Sequence, residues 1–171
     1  MIKQLVILLL LSAGLGLGLN LVSPNAIPYF GTYRSLSNGD GPIVPPDAAA
    51  GDPPFIGLDV ANLEFNDGRA IFVDAREESE FECGTIPGSI NIPFDYLPDG
   101  DLAEYFDSCL DGAAKNTMII TYCSGEECDL SLHLARNMQA FGYTNLSIFF
   151  GGSREWENAG LEMERRVECA D

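Results

Sequence analysis

Cys123 ends an apolar run, Met118–Tyr122, and opens a polar loop, Cys123-Ser124-Gly125-Glu126-Glu127-Cys128-Asp129. From Leu130 onward the apolar residues take up helical spacing. A thiol at the carboxyl end of a buried strand, facing a helix amino terminus, is where a protein can hold a reactive thiolate. Loop N–H groups point inward there, and the helix dipole adds partial positive charge near the sulfur. Free cysteines are more often small core residues. A polar loop containing glycine is poor core material, so the position points to function. Cys128 lies five residues further on. It is either a second sulfur able to reach Cys123, as a disulfide or a trisulfide relay, or a helix-start cysteine that merely packs.

The remaining candidates carry less. His133 is the only histidine and shares a helix face with Asp129, Arg136 and Asn137, opposite a leucine stripe. It is expected to be solvated. Cys123, Cys128 and His133 do not follow a zinc spacing, so neither a metal nor another cofactor is expected. Five cysteines leave at least one thiol unpaired within a monomer. Cys109 falls on an apolar helical stripe and reads as core. Cys83 has no evident role, and Cys169, in a polar tail, is expected to be a free or intermolecular thiol.

The charge balance narrows the partners. The net charge is −17, all 26 acidic residues lie beyond residue 39, and Lys115 is the only lysine after Lys3. Such a surface repels nucleic acid and anionic headgroups. Membrane contact is therefore expected through the amino-terminal segment only. That segment, residues 1–22, has Lys3 followed by an apolar stretch broken at Asn20, between a signal-peptide core and a full span in length. It is expected to be a signal peptide or an uncleaved anchor, with the rest of the chain outside the cytoplasm, on the periplasmic side. Residues 23–54 hold seven of the ten prolines and read as a Pro/Gly-rich linker.

From residue 55 to 164 strand and helix signals alternate, and 165–171 is a short tail. The pattern predicts a helix from Leu58 closed at Gly68, a buried strand at 70–73, and a short helix from Glu77 stopped at Gly84. A short strand at 89–92 follows, then a helix capped by Asp101 and a strand at 118–122. The last elements are a helix from Leu130 to the Gly142 stop, a strand at 146–150, and a short helix capped by Ser153. Alternation of this kind implies an α/β fold, an open, mostly parallel sheet with helices on both faces. Ligands of such sheets sit beyond the carboxyl ends of the strands. Asp74 and Cys123 both stand at such ends, and Asp74 with Arg76 is expected to hold the strand-to-helix turn.

Three separated motifs add a resemblance. Ile71-Phe72-Val73-Asp74-Ala75-Arg76-Glu77, then Glu80-Phe81-Glu82-Cys83-Gly84-Thr85-Ile86-Pro87-Gly88-Ser89-Ile90-Asn91-Ile92-Pro93, and finally Gly151-Gly152-Ser153-Arg154-Glu155-Trp156 with Ala159-Gly160 resemble the rhodanese-like domain, in order and spacing, from about Phe55 to Glu164. The resemblance implies a sulfurtransferase or persulfide carrier. Cys123 would accept sulfur, and the backbone of Ser124, Gly125, Glu126, Glu127, Cys128 and Asp129 would cradle the persulfide. Its partners would be a small sulfur donor or a protein persulfide donor or acceptor.

Two departures stand out. Thr85 replaces the family's usual histidine, a matter of packing. Glu126, Glu127 and Asp129 stand where active loops often carry Arg or Lys, which implies weak use of the thiosulfate dianion. Phosphatases of the same fold need an arginine where this loop has Asp129, so that chemistry is not expected. Two other classes stay open: a binding module without turnover, and a dithiol redox protein using Cys123 and Cys128.

Overall fold

Each strand is a run of four or fewer residues rich in β-branched and aromatic side chains, short enough to be buried on both faces. The computed structural model describes residues 41–169 together with Lys3, Gln4, Ser12 and Gly18. The expected amino-terminal signal or anchor and the linker up to residue 40 otherwise lie outside the described residues. Among the described residues no helix is long and apolar enough to cross a membrane.

In chain order the elements are α1 (Leu58–Asp67), β1 (Ile71–Asp74), α2 (Glu78–Cys83), β2 (Ile90–Asn91), a 3-10 turn (Phe94–Tyr96), α3 (Leu102–Cys109), β3 (Ile119–Tyr122), α4 (Leu130–Ala140), β4 (Leu146–Phe149) and α5 (Gly152–Asn158). The strands form one parallel sheet in the order β2-β1-β3-β4. The predicted α/β class and open parallel sheet are therefore what the chain adopts.

Side-chain alternation along the strands divides the core. Val73, Ile119 and Cys123 join Phe106, Leu134 and Met138 on one face. Phe72, Ile120 and Tyr122 join Ala61, Phe149 and Trp156 on the other. The sheet is covered by α3 and α4 on the first side and by α1 and α5 on the second. Asp101 caps α3 as its spacing predicts, accepting from the N–H groups of Ala103 and Glu104. Ser153 does not cap α5. The helix begins two residues earlier, with Gly151 at the cap, and Ser153 is buried inside the first turn.

Several outer segments are held more firmly than composition implied. Ile43 is buried against Leu132, Ala135, Ile148 and Phe150. Asp52 forms a two-point ion pair with Arg136 at 2.7 and 2.8 Å. The proline-rich chain from residue 41 thus lies along the polar side of α4, which gains a second buried flank. In α1, Leu63 is mostly exposed, whereas Ala61 is buried.

At the other end, Cys169 is bonded to Cys83, joining residues 86 apart in sequence. This corrects the expectation of a free or intermolecular thiol. Thr85 and Glu164 exchange backbone hydrogen bonds at 2.9 Å and bring the tail alongside α2, close enough for the two sulfurs to meet. Three cysteines remain free: Cys109, Cys123 and Cys128.

Candidate active site

The site is built where β1 and β3 end side by side. Ala75 N–H donates to the Tyr122 carbonyl at 2.9 Å, so the chain leaving β1 is tied to the residue before Cys123. Beyond that tie the two strands part. One leads into Arg76 and α2, the other into the 123–129 loop.

Asp74 and Arg76 form a closed, buried unit. Arg76 Nε and Nη2 reach the two carboxylate oxygens of Asp74 at 3.0 and 2.6 Å, and Nη2 also donates to the Gly84 carbonyl at 2.6 Å. Thr85 Oγ1 lies 3.2 Å from Asp74 and 2.5 Å from the Tyr122 hydroxyl, which also donates to Ser89 and accepts from Ile86 N–H. Burial pushes the Tyr122 phenol up, so it stays a neutral donor. Asp74 and Arg76 set the geometry of the turn, and the Arg76 charge is spent on Asp74 and Gly84 rather than aimed at the loop.

The loop itself is clamped by α5. Ser153 N–H donates to the Cys123 carbonyl at 2.9 Å and Arg154 N–H to the Ser124 carbonyl at 3.1 Å. That approach requires glycine. A Cβ on Gly152 would stand 2.2 Å from the Cys123 carbonyl oxygen, and its φ is positive. Gly125, at φ +146°, turns the loop beneath it, and the Cys128 N–H then donates to the Gly125 carbonyl at 2.8 Å. That turn folds Cys128 back over Cys123.

The two sulfurs differ in environment. Cys123 is completely buried, and its Sγ lies 2.8 Å from the Cys128 carbonyl and 3.6 Å from the Ser131 hydroxyl. Burial drives the Cys123 thiol well above the ordinary range. Cys128 is half-buried. The Cys123 thiol, the N–H groups of Leu130 and Ser124, and the Ser124 hydroxyl together hold it down to about 6. Burial thus opposes ionisation of Cys123, and the loop donors favour that of Cys128. Cys123 is dry, whereas Cys128 collects the loop donors.

The carboxylates of the loop stay at its rim. Glu127 and Asp129 are exposed, and Asp129 pairs with His133 at 3.2 Å. The Glu126 charge, with burial, raises the Glu155 carboxyl. His133 is less solvated than its helix face suggested, because Phe94 stacks on its ring at 5.5 Å. One residue went unassigned in the sequence. Arg154 is exposed at the first turn of α5 with its Cβ in van der Waals range of the Gly125 position. Its place in the Gly151–Trp156 motif was visible; its proximity to the loop was not. Cys109, expected as core, is half-buried at the edge of the first cluster.

Comparison with known proteins agrees with this architecture. A family model, Rhodanese-like domain, matches residues 58–159. A Saccharomyces cerevisiae protein named thiosulfate:glutathione sulfurtransferase is 29% identical over 102 residues, covering 56% of this chain and 70% of that one. An HTH-type transcriptional regulator of Mycobacterium tuberculosis is 34% identical over 97 residues. The chain spans 57% of its own length there but only 38% of the regulator's. Among solved structures, a human single-domain sulfurtransferase superposes with TM-score 0.52 at 24% identity, covering 63% of this chain and 97% of that one. The Alr3790 protein from Anabaena sp. gives TM-score 0.52 at 22% identity, covering 65% and 92%. At these identities the structural likeness speaks to the fold.

Proposed function

For a chain that belongs to the rhodanese-like domain family, as this one does across residues 58–159, we propose a sulfurtransferase or persulfide carrier in which Cys123 accepts the sulfur. One observation carries the reading. A buried thiol at the carboxyl end of a central strand lies under a backfolded polar loop, its sulfur 2.8 Å from the Cys128 carbonyl, with a second cysteine in the same turn. A relative named as a sulfurtransferase supports it.

In this reading Cys123 attacks the outer sulfur of a donor persulfide and its proton passes to the departing thiolate R–S⁻. Overall, Cys123–SH and R–S–SH give Cys123–S–SH and R–SH. The Ser131 hydroxyl, which donates to the Cys123 sulfur at 3.6 Å, stabilises the charge that develops there. Glu126, Glu127 and Asp129 oppose the approach of a dianion. The donor is therefore a neutral or protein-bound persulfide, and thiosulfate is a poor one.

The setting is an oxidising compartment outside the cytoplasm, with membrane attachment through residues 1–22. The Cys83–Cys169 bond supports this, because such bonds persist where thiols are not kept reduced. The net charge of −17 disfavours nucleic acid as a partner.

Intact-mass measurement after exposure to glutathione persulfide or to thiosulfate tests the proposal. The Cys128→Ser chain is expected to gain about 32 Da, one sulfur, on Cys123 with the first donor and far less with the second. No adduct with either donor overturns the sulfurtransferase reading.

A further inference from the structure

Cys128 is the one nucleophilic group of the site for which simple sulfur transfer needs no covalent role. Three features set it apart. Its carbonyl lies 2.8 Å from the Cys123 sulfur, so the two cysteines sit against each other in the folded loop. It is half-buried whereas Cys123 is sealed, so it stands between Cys123 and solvent. The turn closed by its own N–H to the Gly125 carbonyl, at 2.8 Å, keeps the backbone folded in that position, and Gly152 packs the Cys123 end of the loop from beneath. A sulfur held in this way against a persulfide-bearing cysteine is placed for thiol–disulfide exchange.

We propose that Cys128 resolves the Cys123 persulfide, releasing sulfide and leaving a Cys123–Cys128 disulfide. The inference rests on the transfer reading above and extends it to what becomes of the sulfur. The Cys128 thiolate attacks the inner sulfur of Cys123–S–SH. The bond between Cys128 Sγ and Cys123 Sγ forms, the bond from Cys123 Sγ to the outer sulfur breaks, and hydrosulfide leaves with its proton. Charge and hydrogen balance on both sides. The sulfane sulfur is reduced to sulfide by two electrons, and the two cysteines are oxidised by the same two.

Hydrosulfide is a good leaving group because its conjugate acid is a stronger acid than an ordinary thiol. Thiolate character on Cys128 near neutral pH supplies the attacking species without an added base. The disulfide is returned to two thiols by a dithiol reductant, a protein or small molecule carrying two thiols, which is itself oxidised. The site thus couples a persulfide donor to a dithiol pool. Its product is free sulfide, rather than a persulfide handed to an acceptor.

The test uses the full chain, treated with one equivalent of glutathione persulfide, freed of small molecules, and followed without added thiol. Wild-type protein is expected to release close to one equivalent of sulfide. It is also expected to yield a Cys123–Cys128-linked peptide after alkylation under non-reducing conditions. Cys128→Ser is expected to keep the sulfur on Cys123 and release sulfide only when dithiothreitol is added. Cys123→Ser is expected to give neither sulfide nor a linked peptide.

A wild-type persulfide as long-lived as that of Cys128→Ser overturns the resolving role and leaves the transfer reading intact. So does sulfur found on Cys128 in place of a disulfide. No sulfur on Cys123 of the Cys128→Ser chain overturns both. Thermal midpoints of the two variants, read on the same samples, identify any loss of folding.

Discussion

Gly152 and Cys123 are in a contact that admits no side chain: a β-carbon on the glycine would lie 2.2 Å from the Cys123 carbonyl oxygen and 2.9 Å from the Gly125 nitrogen. The same backbone segment donates to the Cys123 and Ser124 carbonyls. The diglycine motif is therefore the floor on which the loop rests. Gly152→Ala meets both the clash and the positive φ of +63°. It is expected to lose more than the roughly 1–3 kcal/mol that a strained φ alone costs, and sulfur loading of Cys123 with it. Gly160, also at positive φ but with nothing within 4 Å, is the control. Gly160→Ala should lower the thermal midpoint modestly and leave loading unchanged.

Asp74 and Arg76 are a buried pair, with side chains 0% and 8% exposed. Removing one partner strands the other's charge beneath the site. Asp74→Asn or Arg76→Ala is expected to cost about 3–5 kcal/mol in urea unfolding. Arg76→Lys should recover little, because one ammonium cannot serve two carboxylate oxygens and the Gly84 carbonyl in the same plane.

The Cys83–Cys169 bond closes a loop that contains Cys123, Cys128 and the α5 clamp. Cys169→Ser is expected to lower stability by about 2–5 kcal/mol. Dithiothreitol should lower the wild-type denaturation midpoint and leave that of the variant unmoved. Loading of Cys123, measured by mass at 25 °C, should persist in the variant.

The two site thiols should separate by pH. Alkylation of Cys128 by iodoacetamide is expected to rise with a midpoint near its value of about 6, while Cys123 stays unreactive to much higher pH. Cys123→Ala removes the largest contribution to the low value and should move the Cys128 midpoint upward. Stability follows the same sign. The folded value lies below the ordinary thiol value of 9.0, so the thiolate favours the fold fully above about pH 9. That advantage shrinks as pH falls from 9 towards 6 and is gone below. The stability difference between wild type and Cys128→Ser is expected to narrow across that window.

Local signals carried far. Strand and helix order, the Asp101 cap, the Gly68 and Gly84 stops and the three motifs can all be read from neighbouring residues, because propensity, capping and apolar period act over a few positions. The errors have a common form. Ser153 looked like a cap because serine usually is one. The glycine pair before it serves the Cys123 carbonyl, a contact across the fold. Cys169 looked free because its partner is 86 residues away.

The sequence by itself determined the fold class, the family and the position of a thiol at the end of β3, since all three rest on pattern and order. Only the tertiary structure decided how differently the two loop sulfurs are solvated. Burial beneath the loop withdraws Cys123 from water and raises its cost of ionisation. The backfolded turn gathers Ser124, Leu130 and the Cys123 thiol around Cys128. Solvation and hydrogen-bond geometry are properties of packed neighbours, and no spacing of residues along a chain encodes them directly.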